Sequence, residues 1–337
     1  ILSGDLAELF GKKKVTIVGC ILVISSLAGV FLSYHFLFFL ISYFVFGLGL
    51  GTFQVNISSI VCDLFQADKS KRLVQLGAAF FIGVLIGPLM VSLVLNLDIN
   101  WRNLFLLTAL LNIPPLILFC LLNIKKQIVK TDRKAVRNVF NVNKEILSNS
   151  YFILCGIIAF LHTGLVFSFQ FWFTTYFTGL KIPVKVSSLF LSIYLLSNII
   201  GMLSKNVFLK KLDEKKLLFI CSILGFVFLL SSTFADNLVL KIIFIFLFGY
   251  NIIGLFEMTL SLSVKVKPDY TGSISTLIFS FAYIAMIIFH YTIGYFSEKL
   301  SVESVMYIDL ITFILLIIFI SLLNFYPKFR ENGAMAK

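Results

Sequence analysis

Long apolar runs separated by short polar clusters extend over nearly the whole chain. Read by run length, they predict helices at 15–33, 37–62, 74–95, 103–123, 151–178, 186–208, 217–235, 239–264, 271–296 and 303–326. Crossing the hydrocarbon core takes about 20 predominantly apolar residues, and each run is near or above that length. The runs are apolar on every face, without the period-2 alternation of barrel strands. The pattern therefore predicts an all-α polytopic membrane protein. Ahead of the first run stands the polar stretch "SGDLAELFGKKK", Ser3 to Lys14, which reads as the end of one helix and a tight turn into the next, with Gly4 and Gly11 permitting the bend. The longest polar stretch, 124–150, reads as a basic linker with room for a surface amphipathic helix. It divides the chain into 1–14 and 15–123 before it, and a six-span part, 151–326, with a tail, 327–337, after it.

Composition sharpens this picture. Of 337 residues, 59% are hydrophobic and 13% charged, against about 45–50% and about 25% in soluble domains. A net charge of +12 would suit a nucleic-acid partner, but its placement argues otherwise. Of the 28 basic residues, 23 fall on one set of alternating connections and the tail, leaving 5 for the other. By the positive-inside rule the richer side is cytoplasmic. The expectation is a multi-pass protein of the cytoplasmic (inner) membrane, C-terminus inside, with the lipid bilayer and no nucleic acid as partner. Cys20, Cys62, Cys120, Cys155 and Cys221 lie in or at the ends of spans, widely separated, and form neither a disulfide framework nor a metal spacing. No metal or cofactor is expected.

An internal repeat relates two parts of the chain. Gly4 leads into "KKKVTIVGCILVISSLAGVFLSYHFLFFLISYFVFGLGLGTFQ", and Gly201 into "KKLDEKKLLFICSILGFVFLLSSTFADNLVLKIIFIFLFGYNIIGLFE". Each has a lysine-rich loop, an apolar helix, a short connection and a helix carrying glycines. Gly51 pairs with Gly254, and Gln54 with Glu257, in each case three residues on. Two spans precede the second copy where only Ile1 and Leu2 precede the first. The repeat thus predicts a six-plus-six architecture lacking about its first two helices in this sequence.

"GDLAELFGKK", Gly4 to Lys13, resembles the loop signature of the major facilitator superfamily, Gly-x-Leu-Ala-Asp-Arg-x-Gly-Arg-Lys. Gly4, Leu6, Ala7, Gly11 and Lys13 match, Glu8 takes the Asp place and Lys12 an Arg place, while Leu9 departs from the usual Arg. "GVLIGPLM" (Gly83 to Met90) and "NWRNLFLL" (Asn100 to Leu107) resemble features of its fifth and sixth helices. The resemblance implies a secondary transporter whose first, fourth, seventh and tenth helices line a central cavity. It also implies that Glu8 meets the N-terminal end of the eleventh helix, near Tyr270 to Ser273, clasping the two halves. Within the superfamily, "GLGLGTFQVNISSIVCDLF" and "GLVFSFQFWFTTYFT" resemble the fourth and seventh helices of the fucose permease-like sugar–proton symporters. Phe256-Glu257 departs from the Phe-Pro common in that group's tenth helix. Gly83, Gly87 and Pro88 also suit the antiporter signature of drug exporters, which keeps a drug or metabolite/proton antiporter as the alternative.

Candidate chemistry follows from polar residues inside apolar runs. An ionisable group at mid-membrane costs at least about 2.5–3.5 kcal/mol and so needs a reason to be there. Glu257 shares a helical face with Tyr250, Gly254 and Ser261 and is the candidate proton-coupling carboxylate; Asn251 lies beside it. Gln54 and Asn56 offer amides, donors and acceptors at once, to sugar hydroxyls or to neighbouring helices. His162, Phe169, Gln170 and Trp172 place an imidazole, an amide and two aromatic faces in the span 151–178; core packing is the competing reading for each. Asp63, at the cytoplasmic end of its helix, reads as a solvated gate or loop residue, and Asn198, Lys205, His290 and Asp309 as structural. Three scattered histidines give no support to a membrane-embedded enzyme, and a non-transporting receptor of the same fold is the remaining alternative. The expectation is a monomeric transporter of a small solute, a sugar or similar, with the proton as coupling ion.

Overall fold

The computed structural model describes residues 2–96, 100–122, 141–299 and 304–326, and no strand occurs among them. The helices are α1 (Leu2–Phe10), α2 (Lys12–Phe31), α3 (Phe36–Leu64), α4 (Lys69–Asn96), α5 (Arg102–Leu111), α6 (Ile113–Leu121), α7 (Ser150–Gly179), α8 (Val184–Phe208), α9 (Glu214–Phe234), α10 (Leu238–Ile252), α11 (Leu255–Val264), α12 (Thr271–Lys299) and α13 (Ser304–Phe325). Residues 141–147 are also helical. The rest of the expected linker, before 141, and the tail from 327 lie outside the described residues. Ten stretches are long and apolar enough to cross a membrane, one for each run in the sequence. Phe36, Phe44, Phe171, Ile287 and Phe325 are exposed. A lipid-facing surface requires such side chains outside, since hydrocarbon does not penalise them as water does.

Three details depart from the run-length reading. The turn expected over Ser3 to Lys14 is compressed into one residue: α1 and α2 flank Gly11, whose φ of 94° only glycine adopts without strain. Gly4 lies within α1 and takes no part in the bend. The run 103–123 divides into α5 and α6 at Asn112, just before Pro114 and Pro115, because a proline ring opposes helical geometry in the preceding turn. The run 239–264 divides into α10 and α11 at Ile253 and Gly254.

The chain forms two compact units. The first comprises 1–64, 86–145 and 269–276; the second comprises 65–85, 146–268 and 277–337. In the first, α2 packs along α3 and against α5, with Val23, Leu27 and Ala109 buried between them. Backbones meet where Gly19 faces Gly49: a Cβ on Gly49 would lie 2.8 Å from the Val23 nitrogen and 3.0 Å from the Gly19 oxygen. Close approach of this kind holds membrane helices together by dispersion, since lipid tails are as apolar as the helices themselves. In the second unit α7 is central, packed against α8, α11 and α13. Its Phe169 ring sits 5.2 Å from that of Tyr194 and 4.9 Å from that of Phe248, which is 6.0 Å from Phe313. These four rings knit α7, α8, α10 and α13.

The glycine seam is testable. A side chain at 49 would meet backbone, which cannot swing aside, so Gly49→Val should destabilise the first unit by about 1–3 kcal/mol. Gly51→Val faces no neighbour within 4 Å and should be near neutral, as read by melting temperature in detergent.

Candidate functional site

The break between α10 and α11 organises the polar chemistry of the second unit. Gly254 adopts φ +85°, ψ −6°, a left-handed conformation that ends α10 and starts α11. An uninterrupted helix would bond the carbonyls of Tyr250 and Ile252 to amides one turn on. Here both are met by side chains. Lys205 Nζ, from α8, donates to the Tyr250 oxygen at 2.7 Å, and His162 Nε2, from α7, donates to the Ile252 oxygen at 3.0 Å. Both side chains are buried, Lys205 at 1% exposure. At such depth there is no water to satisfy a freed carbonyl, which would otherwise cost several kcal/mol.

Small residues make the reach possible. A Cβ on Gly201 would run into the Tyr250 backbone, so α8 passes the break at glycine contact distance. Lys205, one turn further along α8, is thereby brought over the break. A Cβ on Gly254 would lie 2.8 Å from Lys205 Cδ and 3.2 Å from Met202 Sδ.

Glu257 lies in the first turn of α11. The unpaired amides there give the N-terminus partial positive charge, which suits a carboxylate. Its side chain reaches the first part of α4: a Cβ on Gly77 would lie 2.6 Å from Glu257 Oε1 and 2.6 Å from Met202 Cε. Its carboxylate accepts from its own backbone N–H, and among the described residues it has no ion-pair partner within 4 Å. One turn on, Ser261 bonds Glu214, which is already paired with Lys265 at 2.9 Å. The single face expected for Tyr250, Gly254, Glu257 and Ser261 is not kept. The left-handed residue at 254 resets the helix phase, leaving Tyr250 on one segment and Glu257 with Ser261 on the other.

The other candidates of the second unit separate into two groups. His162 and Asn251 flank the break, Asn251 donating Nδ2 to the Leu247 oxygen at 2.8 Å. Phe169 is in the aromatic core, its ring covered by Phe173, Tyr194 and Phe248. Gln170 Oε1 and Trp172 Nε1 are buried atoms without a hydrogen-bond partner among the described residues. Asp309 is buried, with Ser168 at 3.4 Å. Lys205, expected as structural, has the specific task of holding the freed Tyr250 carbonyl. Its signal was available, since a lysine inside an apolar run demands an acceptor.

In the first unit, Asn56 is buried and donates Nδ2 to the Thr52 oxygen at 2.7 Å, with Oδ1 unpartnered; Gln54 is half-buried, its backbone oxygen accepting from Ser58. Asp63 is paired rather than solvated. Lys12 Nζ pairs with Asp63 Oδ2 at 2.6 Å and also bonds Thr271 Oγ1, while Thr271 donates to Asp63 Oδ1 at 2.5 Å and Ser59 lies 3.0 Å from Thr271. Thr271, within the 270–273 terminus, is contacted by Lys12 and Asp63; the Glu8 side chain lies outside the described residues. Lys13 donates to the Cys120 and Leu122 oxygens, both at 2.7 Å, at the end of α6. Gly83 and Gly87 have nothing within 4 Å of a Cβ placed there, and the Pro88 side chain lies outside the described residues. Among the described residues no group of three or more His, Cys, Asp and Glu could hold a metal ion.

Comparison with known proteins gives a consistent result. The family model described as Major Facilitator Superfamily matches residues 1–290. The glucose/mannose transporter GlcP of Bacillus subtilis is 24% identical over 275 residues, covering 79% of this chain and 67% of the relative. The crystal structure of the E. coli fucose:proton symporter FucP superposes with a TM-score of 0.80 at 16% identity, covering 96% of this chain and 86% of that one. The structure of the proton:xylose symporter XylE does so at 0.78 and 12%, covering 99% and 84%.

The break yields its own prediction. Gly254→Ala forces a Cβ into a left-handed conformation costing about 1–2 kcal/mol, against Lys205 Cδ besides. It should lower the melting temperature in detergent and slow substrate exchange, whereas Gly83→Ala should do neither.

Proposed function

The chain belongs to the major facilitator superfamily, a family of transporters rather than enzymes, and on that footing we propose that it moves a small sugar across the cytoplasmic membrane by proton-coupled alternating access. The observation that carries the reading is the half-buried Glu257, placed without a direct counter-ion in the first turn of a helix that begins at an interruption inside the membrane span. Discontinuous helices of secondary transporters commonly bear their substrate and ion sites. A carboxylate there can bind a proton on one side of the membrane and release it on the other.

The names of the relatives support the substrate class: one is a glucose/mannose transporter, another a fucose:proton symporter, a third a proton:xylose symporter. Residue chemistry agrees. Gln54, Asn56 and Gln170 present amides that can donate to and accept from hydroxyls, and Trp172 offers an apolar face for the C–H side of a sugar ring. His162 and Phe169 act as scaffold, the first on the helix break and the second in the aromatic core. The charge bias of the connections orients the protein with its C-terminus in the cytoplasm.

The test is uptake of labelled glucose, mannose, fucose and xylose by the full-length protein in proteoliposomes, with an imposed pH step. Sugar accumulation with proton influx is the expected result; proton-driven efflux of lipophilic cations instead would replace the sugar reading with drug antiport. In Glu257→Gln, exchange should persist at a reduced rate while accumulation down the proton gradient is lost. Accumulation surviving in that variant would remove Glu257 from coupling.

A further inference from the structure

We infer that Lys205 is the fixed counter-charge of Glu257, the two side chains forming a split pair across the break between α10 and α11. The inference deepens the reading of Glu257 as the functional carboxylate and rests on it. An ammonium carries three donors, and one acceptor, the Tyr250 carbonyl, does not satisfy a lysine at 1% exposure. The Tyr250 ring, with its centroid 5.4 Å from Nζ, adds a weaker cation–π contact. Glu257 is an acid lacking a close partner. Each lies in the electrostatic field of the other without touching it.

Met202 packs beside both. This fully buried thioether places Cε beside Glu257 at Gly77, and Sδ beside Lys205 at Gly254. Other titratable groups facing the pair do not compete. His162 on α7 is engaged with the Ile252 carbonyl, and Cys221 on α9 is a neutral thiol near Lys205. Glu214 on α9 is neutralised by Lys265, and α4 contributes glycine at its point of contact. Glu257 is therefore the acid near Lys205 that is not already paired.

Two consequences follow. Lys205 occupies, as a tethered cation, the kind of place where unwound carbonyls of other transporters hold a mobile one. A proton arriving on Glu257 cancels one half of the pair, leaving Lys205 held by Tyr250 alone. The charge state of the acid is thereby transmitted to the backbone hinge.

The experiment is equilibrium exchange of whichever labelled sugar the parent takes up (glucose, mannose, fucose or xylose), with no proton gradient, in Lys205→Met, Glu257→Gln and the double variant, each across pH 5.5 to 8.5. Lys205→Met leaves Glu257 uncompensated, so its exchange should fall at least about tenfold at high pH and recover on acidification, as the carboxylate takes a proton. The double variant should exchange at least about fivefold faster than Lys205→Met at high pH and lose that variant's pH dependence. Lys205→Arg, which keeps the charge, should stay within about threefold of the parent. If Lys205 serves only to cap the Tyr250 carbonyl, neither acid nor Glu257→Gln restores Lys205→Met, and the inference is overturned. It is equally overturned if Lys205→Met exchanges like the parent. These outcomes stand apart from the proton-coupling reading, which fails only if Glu257→Gln still accumulates substrate.

Discussion

A backbone carbonyl released inside a membrane helix finds no water, and the interior of this protein is arranged around that constraint. Gly254 breaks a span that is apolar from Leu238 to Val264, freeing the oxygens of Tyr250 and Ile252. Lys205 and His162 are the answer, and each imposes further requirements. Lys205 reaches Tyr250 only because Gly201 lets α8 pass at contact distance and Gly254 leaves room for its aliphatic stem. Met202 fills the remaining space, and Gly77 admits both Met202 and Glu257 against α4. One left-handed residue thus dictates the identity of residues on three other helices.

The same demand recurs at ordinary helix ends and is met by the same residue type. Lys13 donates to the Cys120 and Leu122 oxygens, Lys215 to those of Leu323 and Tyr326, and Lys241 to that of Ser232. Helix C-termini carry partial negative charge and unbonded carbonyls, so a long cationic donor satisfies both. The lysines counted in the charge bias are therefore not all solvated anchors. Several have their ammonium groups folded back onto helix ends.

The spans were legible because burial in lipid leaves a coarse signature, twenty apolar residues, that does not depend on neighbours. What was not legible is whether a run is one helix or two. Gly51 and Gly254 occupy matching places in the repeat, yet α3 continues through Gly51 while the chain breaks at Gly254. The difference lies in partners distant in sequence: Lys205 and His162 stand 45 and 90 residues from the carbonyls they bind. Glu257 could be singled out locally, as an acid in an apolar run. Phe169 and His162 could not be assigned, because an aromatic in a packing cluster and one facing a cavity have the same sequence context. The family pattern points the Gly4–Lys13 loop toward Tyr270 to Ser273, but the pairing of Lys12 with Asp63 and Thr271 joins residues far apart in sequence and leaves no local signal.

The repeat also shows where symmetry ends. Gln54 and Glu257 hold corresponding positions, and they differ in one property, the ability to change charge. An amide donates and accepts hydrogen bonds but keeps the same charge at every physiological pH. Glu257 can change charge, and it sits on the copy that carries the break and the buried lysine. The first copy keeps an uninterrupted helix and a neutral side chain. Duplication supplies two similar helices with glycine at matching places. The two copies diverge where the backbone is least constrained: the second breaks at Gly254 and carries its ionisable group in the first turn after the break.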